Sequence, residues 1–369
     1  MRRPRRTTLA ALLLLAPLVA CSGEEEPAEP DPSPSATPSA APSTPPSTPP
    51  STPSESPSGP TQPPTPTEQD ETLPPVADGP AGKVSLPALM REDVEAGRIR
   101  RTSRIGGTDR WTGWAVTYTV DGATVSGELL VPAGRGPFPA LVLNHGYIDP
   151  AIYTLGRGMS REQEWFADNG FVVLHTDYRG HAGSDPVDDL GRESRLTYTR
   201  DAIGAVEALK KERYVDDDRL GMVGRSMGGA VTYNAIVAQP DLVDAAVVFA
   251  PVSSAFVDNL RRWTIPERPD AAQALYGRLG GSPRENPRAY RELSARTYFD
   301  RVEAPVLILH GTSDDSCPVD WSRETQRLLT EAGADSTLQI YPGEEHAFGP
   351  RFADSMTRTV RFLRARLGD

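Results

Sequence analysis

The chain has 369 residues, a formal net charge of −11 and 38% hydrophobic residues. That length suffices for one domain with a large core, and the acidic balance without a basic stripe argues against nucleic acid as a partner. Only two cysteines are present, which excludes a disulfide framework.

Taken in chain order, the first 21 residues read as an export signal. Arg2, Arg3, Arg5 and Arg6 form a basic start, and Leu9 to Val19 form an apolar run too short for a permanent membrane span. Leu18-Val19-Ala20-Cys21 resembles the lipobox of bacterial lipoproteins, and that resemblance implies a lipidated Cys21 as the mature N-terminus. The expectation is a chain exported and lipid-anchored at the outer face of the bacterial cytoplasmic membrane.

Residues 22–81 read as a linker. From 22 to 75 it holds 18 of the chain's 37 prolines and nine acidic residues without one basic residue. Such a segment buries too little apolar surface to offset the entropy of ordering it, so an extended spacer is expected. Residues 82–369 are then the folded domain, read as a monomer.

Eight strand-like runs follow. Trp114 to Val120 and Thr124 to Val131 flank Asp121-Gly122, a hairpin signal. Ala140 to Leu143, Phe171 to His175, Leu220 to Val223, Ala245 to Phe249, Val306 to Leu309 and Thr337 to Ile340 come next, most of them continuous apolar runs suited to strands buried on both faces. Helical periodicity covers 198–213, 230–238, 271–279 and 352–367. The expected architecture is an α/β fold with an eight-stranded, mostly parallel sheet, helices on both faces and a small helical excursion over 251–304 after the sixth strand. Excursions at that point commonly lie over the carboxyl edge of the sheet, where ligands bind.

Gly224-Arg225-Ser226-Met227-Gly228 lies between a short apolar strand and a helix. A serine on so sharp a turn stands exposed above the sheet, and the glycines let neighbouring backbone approach. A serine hydroxyl needs a base, and the base needs an orienting carboxylate. His346, in a loop between the last strand and the final helix, is the candidate base. Asp314, in the loop after Val306–Leu309, is the candidate acid, with the adjacent Asp315 as its rival. The backbone N–H groups of Met227 and Tyr147 are the candidate oxyanion donors. His145 either assists through its side chain or orders that loop. His175 reads as a satisfied core or edge residue, His310 as structural, and His181 as part of a turn bracing the floor of the site. No metal-ligand spacing stands out among the histidines, and the chemistry requires no cofactor.

These stretches carry a resemblance. Gly136-Pro137-Phe138-Pro139, His145-Gly146, Tyr178-Arg179-Gly180-His181, Gly224 to Gly229, Gly280-Gly281-Ser282-Pro283, His310 to Asp314 and Gly343 to His346 together resemble the catalytic domain of the prolyl oligopeptidase family, within the α/β-hydrolase fold. The resemblance implies a serine hydrolase with the order Ser226, Asp314, His346. Two departures bear on substrate: the β-propeller of that family's peptidases is not expected here, and Tyr147 stands where many relatives have a second glycine. The expected reaction is therefore hydrolysis of a small carboxylic ester through an acyl-enzyme, with cleavage of short peptides as the alternative. A non-catalytic surface-binding module is a third reading, disfavoured by the complete set of three residues. Phe256, Leu260, Trp263, Leu275 and Tyr276 are candidates for a wall over the site.

Overall fold

The computed structural model of the protein describes residues 73–368. The signal, Cys21 and the spacer before residue 73 lie outside the described residues. Residues 73–368 belong to one compact unit, Gln69–Asp369. Its centre is a nine-stranded sheet: β1 (Arg100–Gly107), β2 (Trp111–Val120), β3 (Ala123–Pro132), β4 (Phe138–Asn144), β5 (Val172–Thr176), β6 (Val215–Arg225), β7 (Ala245–Phe249), β8 (Val306–Gly311) and β9 (Ser336–Tyr341). The spatial order is β1-β2-β3-β5-β4-β6-β7-β8-β9. Pairing is antiparallel from β1 through β5 and parallel from β5 through β9.

The expected eight strands are thus corrected to nine. The additional strand, β1, is exposed at all eight of its positions. Its Arg-, Ser- and Gly-containing sequence has no apolar alternation to betray it, and it is held by backbone pairing to β2. The hairpin signal is explicit in the backbone: Asp121 and Gly122 have φ of 49° and 82°, the doubly left-handed turn that matches strand twist.

The described residues include six helices of nine or more residues: α1 (Ser160–Asp168), α2 (Leu196–Leu209), α3 (Met227–Ala238), α4 (Pro269–Leu279), α5 (Val319–Glu331) and α6 (Phe352–Leu367); all but α4 flank the sheet. Alternation along the parallel strands divides the core into two layers. Ala140, Val142, Ala246, Val248, Val306 and Ile308 pack with residues of α2, α3 and α5. Leu141, Leu143, Val247, Phe249, Leu307 and Leu309 pack on the other face with Phe166 of α1 and with Met356, Val360 and Leu363 of α6. Both faces of these strands are therefore dry, which is why they read as unbroken apolar runs. The helix after Ser226 starts at Met227, three residues before its periodicity becomes apparent, because Gly228-Gly229 carry no side-chain signal.

Between β7 and β8 the chain leaves the sheet. This excursion contains Phe256–Asn259, a π-helical turn at Leu260–Thr264, Ile265–Glu267, α4 and Pro287–Glu292. No helix of the described residues is long and apolar enough to cross a membrane.

Candidate active site

Parallel strands end at a common edge, so the loops after β4, β6, β8 and β9 converge there. Ser226 directly follows β6. Its backbone has φ 54° and ψ −118°, a conformation that costs a non-glycine residue on the order of 1–3 kcal/mol and tends to survive where the surroundings enforce it. Here Ser226 N–H donates to Phe249 O at 3.0 Å, and Ser226 O accepts from Gly229 N at 2.9 Å and Val252 N at 3.2 Å. Close approach explains two glycines. A Cβ on Gly228 would lie 1.9 Å from Asn144 O, and one on Gly224 would lie 2.2 Å from Gly228 O. Behind the turn, the Arg225 guanidinium forms a buried ion pair with Glu162 of α1.

His346 Nδ1 lies 2.8 Å from Asp314 Oδ2. Asp314 also faces His310 Nε2 at 3.1 Å and accepts on Oδ1 from the backbone N–H of Ser316 at 2.9 Å and Cys317 at 2.8 Å. Burial by itself would raise the Asp314 pKa, but the hydrogen bonds from His310, His346 and the Cys317 amide outweigh it and hold the carboxyl well below its ordinary range. Asp315 is exposed, and its carbonyl accepts from Arg262 at 2.6 Å. Geometry thus separates the two adjacent acids: Asp314 meets His346, and Asp315 does not.

Ser226, Met227, Tyr147 and His346 line one cavity of about 280 Å³. Met227 is the first residue of α3, where helix geometry leaves an N–H without an intrahelical acceptor. Gly146 backs directly onto the Ser226 turn, since a Cβ there would come within 3.2 Å of Ser226 Cβ. The Tyr147 ring is nearly half exposed and lies 5.2 Å from the Arg268 guanidinium.

The other histidines sort by contact. His145 is buried, its Nδ1 is 2.6 Å from Gly146 O, and its ring packs against Tyr153 and Tyr178 at 4.7 and 4.5 Å. It orders the loop and does not line the cavity. His181 Nε2 reaches Ile148 O at 3.3 Å, and Asp177 in the same turn accepts from Ser126 Oγ at 2.6 Å and from Tyr153 Oη at 2.7 Å. These bonds brace the floor beneath the loop after β4. His175 is a core residue, fully buried; its ring nitrogens make no hydrogen bond of good geometry and have only a weaker contact with the Gly156 backbone, and burial lowers its pKa to about 3. His310 touches Asp314 itself, while its Nδ1 lies 2.6 Å from Ser322 Oγ.

The excursion supplies about half of the cavity wall. Phe256, Leu260 and Trp263 line it, whereas Leu275 is buried in the core and Tyr276 packs partly against that core. Sequence reasoning overlooked several neighbours. Cys317 places Sγ 4.0 Å from Ser226 Oγ. Glu193, Arg195 and Arg268 form a charged portion of the wall. None carries a local sequence signal, since each reaches the neighbourhood of Ser226 only through the folding of distant segments.

The fold and the serine turn define an α/β-hydrolase-fold protein. The family model for the prolyl oligopeptidase family matches residues 157–369, and the chain belongs to that family of serine hydrolases. It is 25% identical over 238 residues to the uncharacterized peptidase YtmA of Bacillus subtilis, covering 64% of this chain and 87% of that one. It is 28% identical over 236 residues to the uncharacterized peptidase YuxL of the same organism, covering 62% of this chain but only 34% of YuxL. Two solved structures share the fold. A dipeptidyl aminopeptidase IV-type protein of Bacteroides ovatus has a TM-score of 0.58 at 22% identity, over 71% of this chain and 36% of that one. The acetyl xylan esterase of Paenibacillus sp. R4 has a TM-score of 0.58 at 20% identity, over 75% of this chain and 92% of that one.

Proposed function

We propose that the protein cleaves small carboxylic esters through an acyl-enzyme intermediate, with Ser226 as nucleophile, His346 as base and Asp314 as the orienting acid. The observation that carries this reading is the His346–Asp314 contact of 2.8 Å, with His346 lining a cavity that Ser226 also lines. With Nδ1 engaged by Asp314, Nε2 of His346 is left to take the Ser226 proton as Oγ attacks the carbonyl carbon. The imidazolium then returns that proton to the departing alkoxide. The N–H groups of Met227 and Tyr147 receive the oxyanion, each worth roughly 3 kcal/mol in the transition state. Water, activated by the same imidazole, releases the acid. The apolar wall of Met227, Val252, Phe256, Leu260 and Trp263 suits a small acyl or alkoxy group.

A second reading, peptidase action on short peptides, draws support from the curated relatives, which are named as peptidases. The two differ in leaving group and not in machinery. A fluorophosphonate probe on the purified protein, followed by aryl esters of rising acyl length beside aminoacyl and dipeptidyl anilides, separates them. Ester turnover without anilide turnover is expected. Faster anilide cleavage would reverse the order, and no labelling at all would overturn both.

We further propose anchorage through lipid on Cys21, supported by the basic start, the apolar run and Leu18-Val19-Ala20-Cys21. Cys21→Ser is expected to release the protein from the membrane fraction or block its processing. Wild-type protein recovered soluble, with an unmodified N-terminus beyond residue 21, would overturn this.

A further inference from the structure

The cavity that holds Ser226 has a charged portion made of two carboxylates, Glu193 and Glu267, and two guanidinium groups, Arg195 and Arg268. Its two carboxylates, Glu193 and Glu267, are both engaged. Glu193 is buried, with its side chain 3% exposed, and faces Arg268 Nε at 3.3 Å and Arg192 Nε at 3.6 Å. It also accepts from Thr264 Oγ1 at 3.2 Å. Glu267 pairs with Arg268 at 3.6 Å, and Arg192 has a second partner in Asp189 at 2.6 Å.

Arg195 is different. It lines the cavity, and among the described residues no carboxylate lies within direct salt-bridge distance of it, although its charge acts on Glu193 more strongly than that of Arg268 or Arg192. Its guanidinium donates through Nη1 to Arg192 O at 2.6 Å and lies 5.9 Å from the Tyr198 ring. The backbone of Arg195 is left-handed, with φ 65°, at the junction between the short helix Asp189–Ser194 and α2. Glycine or asparagine would occupy that junction at less cost. An arginine there keeps a cation beside the cavity at the expense of backbone strain, and such strain clusters at ligand-binding positions.

From this arrangement we infer that Arg195 forms a carboxylate-binding subsite, and that the preferred substrates are esters carrying a free carboxylate in the part that fills the cavity. The inference rests on the hydrolase reading above. A guanidinium with one donor already committed keeps Nε and Nη2 for a carboxylate, and a hydrogen bond to a charged group in a partly dry site discriminates strongly. Phe256, Leu260 and Trp263 would hold the apolar body of the same molecule.

The test uses matched esters on the purified protein. On the acyl side, para-nitrophenyl monoesters of glutaric acid are compared with the corresponding carboxamide and with a trimethylammonium-bearing analogue, each corrected for its spontaneous rate. On the alcohol side, butyrate esters of para-hydroxybenzoate and para-hydroxybenzamide are compared. The expected result is a kcat/KM ratio of anion to neutral isostere of at least about tenfold in one of the two series, which also tells which side of the ester occupies the subsite. The ratio should shrink as salt is raised towards 1 M. Arg195→Gln should bring it to near one, and Arg195→Lys should retain part of it. The salt series in wild-type protein keeps the test open if the glutamine variant does not fold. A ratio near one in both series, in protein that hydrolyses the neutral esters and accepts the fluorophosphonate, overturns the subsite and leaves the hydrolase reading intact. So does a preference for the trimethylammonium ester. Absence of both turnover and labelling overturns the two together.

Discussion

Cys317 touches two members of the proposed catalytic set in different ways: its sulfur lies 4.0 Å from Ser226 Oγ, and its backbone N–H donates to Asp314 Oδ1 at 2.8 Å. The thiol is fully buried, and burial together with the neighbouring Asp314 charge pushes its pKa up to about 12. A neutral, enclosed thiol is a poor nucleophile. Iodoacetamide at pH 8 should therefore leave Cys317 unmodified in the folded protein and alkylate it on unfolding, as read by mass spectrometry. Cys317→Ala keeps the amide bond to Asp314 and should cost about 1–2 kcal/mol of stability through the void it opens.

Ser226→Ala should abolish fluorophosphonate labelling and lower kcat by about 10⁴ or more while the circular dichroism spectrum is unchanged. Labelling that survives the substitution would exclude Ser226 as the nucleophile.

His346→Ala should cost nearly as much as Ser226→Ala, and the double variant should be no worse than either, because the two act on one proton transfer. Asp314→Asn should lose on the order of 10³–10⁴ in kcat, since an amide at that position favours the wrong imidazole tautomer. Asp315→Asn should change kcat less than twofold. A larger effect at Asp315 than at Asp314 would contradict the assignment of the orienting acid.

Glu128 and His175 stand opposite one another across β3 and β5, and their titrations oppose. Burial raises Glu128 from 4.5 to about 7, so the folded state keeps a proton that the unfolded chain has lost, and stability falls as pH rises from about 4.5 to 7. Burial lowers His175 from 6.5 to about 3, so stability is lost as pH falls through that window. Glu128→Gln removes the first contribution. Its melting temperature relative to wild type should climb from pH 4.5 to 7 and then level off. A difference that stays flat over that range would show that Glu128 is not held protonated by the fold.

Trp263 lines the cavity and packs edge-on to Trp321 at 5.7 Å. Trp263→Ala should shift ester preference towards longer acyl chains by several-fold in kcat/KM while leaving the rate of fluorophosphonate labelling within about twofold. An unchanged chain-length profile would place specificity elsewhere.

Much of this was legible in the sequence, for a physical reason. Parallel strands dry on both faces must be apolar without interruption, so β7 was readable to the residue and α6 by its helical period. The sharp turn at Ser226 demands small neighbours, and Gly224 and Gly228 answer contacts of 2.2 and 1.9 Å that any Cβ would violate. The loops holding Asp314 and His346 were recognisable because they directly follow strands of that sheet. Burial imposes no such pattern on β1, whose eight residues are all exposed. Nor does any local rule choose Asp314 over Asp315, bring Cys317 to Ser226, or surround Glu193 with arginines from two segments. Those relationships are set by which side chains meet after segments far apart in the chain have packed. Side-chain periodicity encodes which face of an element is dry; it carries no record of what lies across the gap. For this protein that decided the outcome: sequence alone located the sharp turn at Ser226 and the sheet that presents it, and only tertiary packing determined the surroundings of Asp314 and the charge of the cavity.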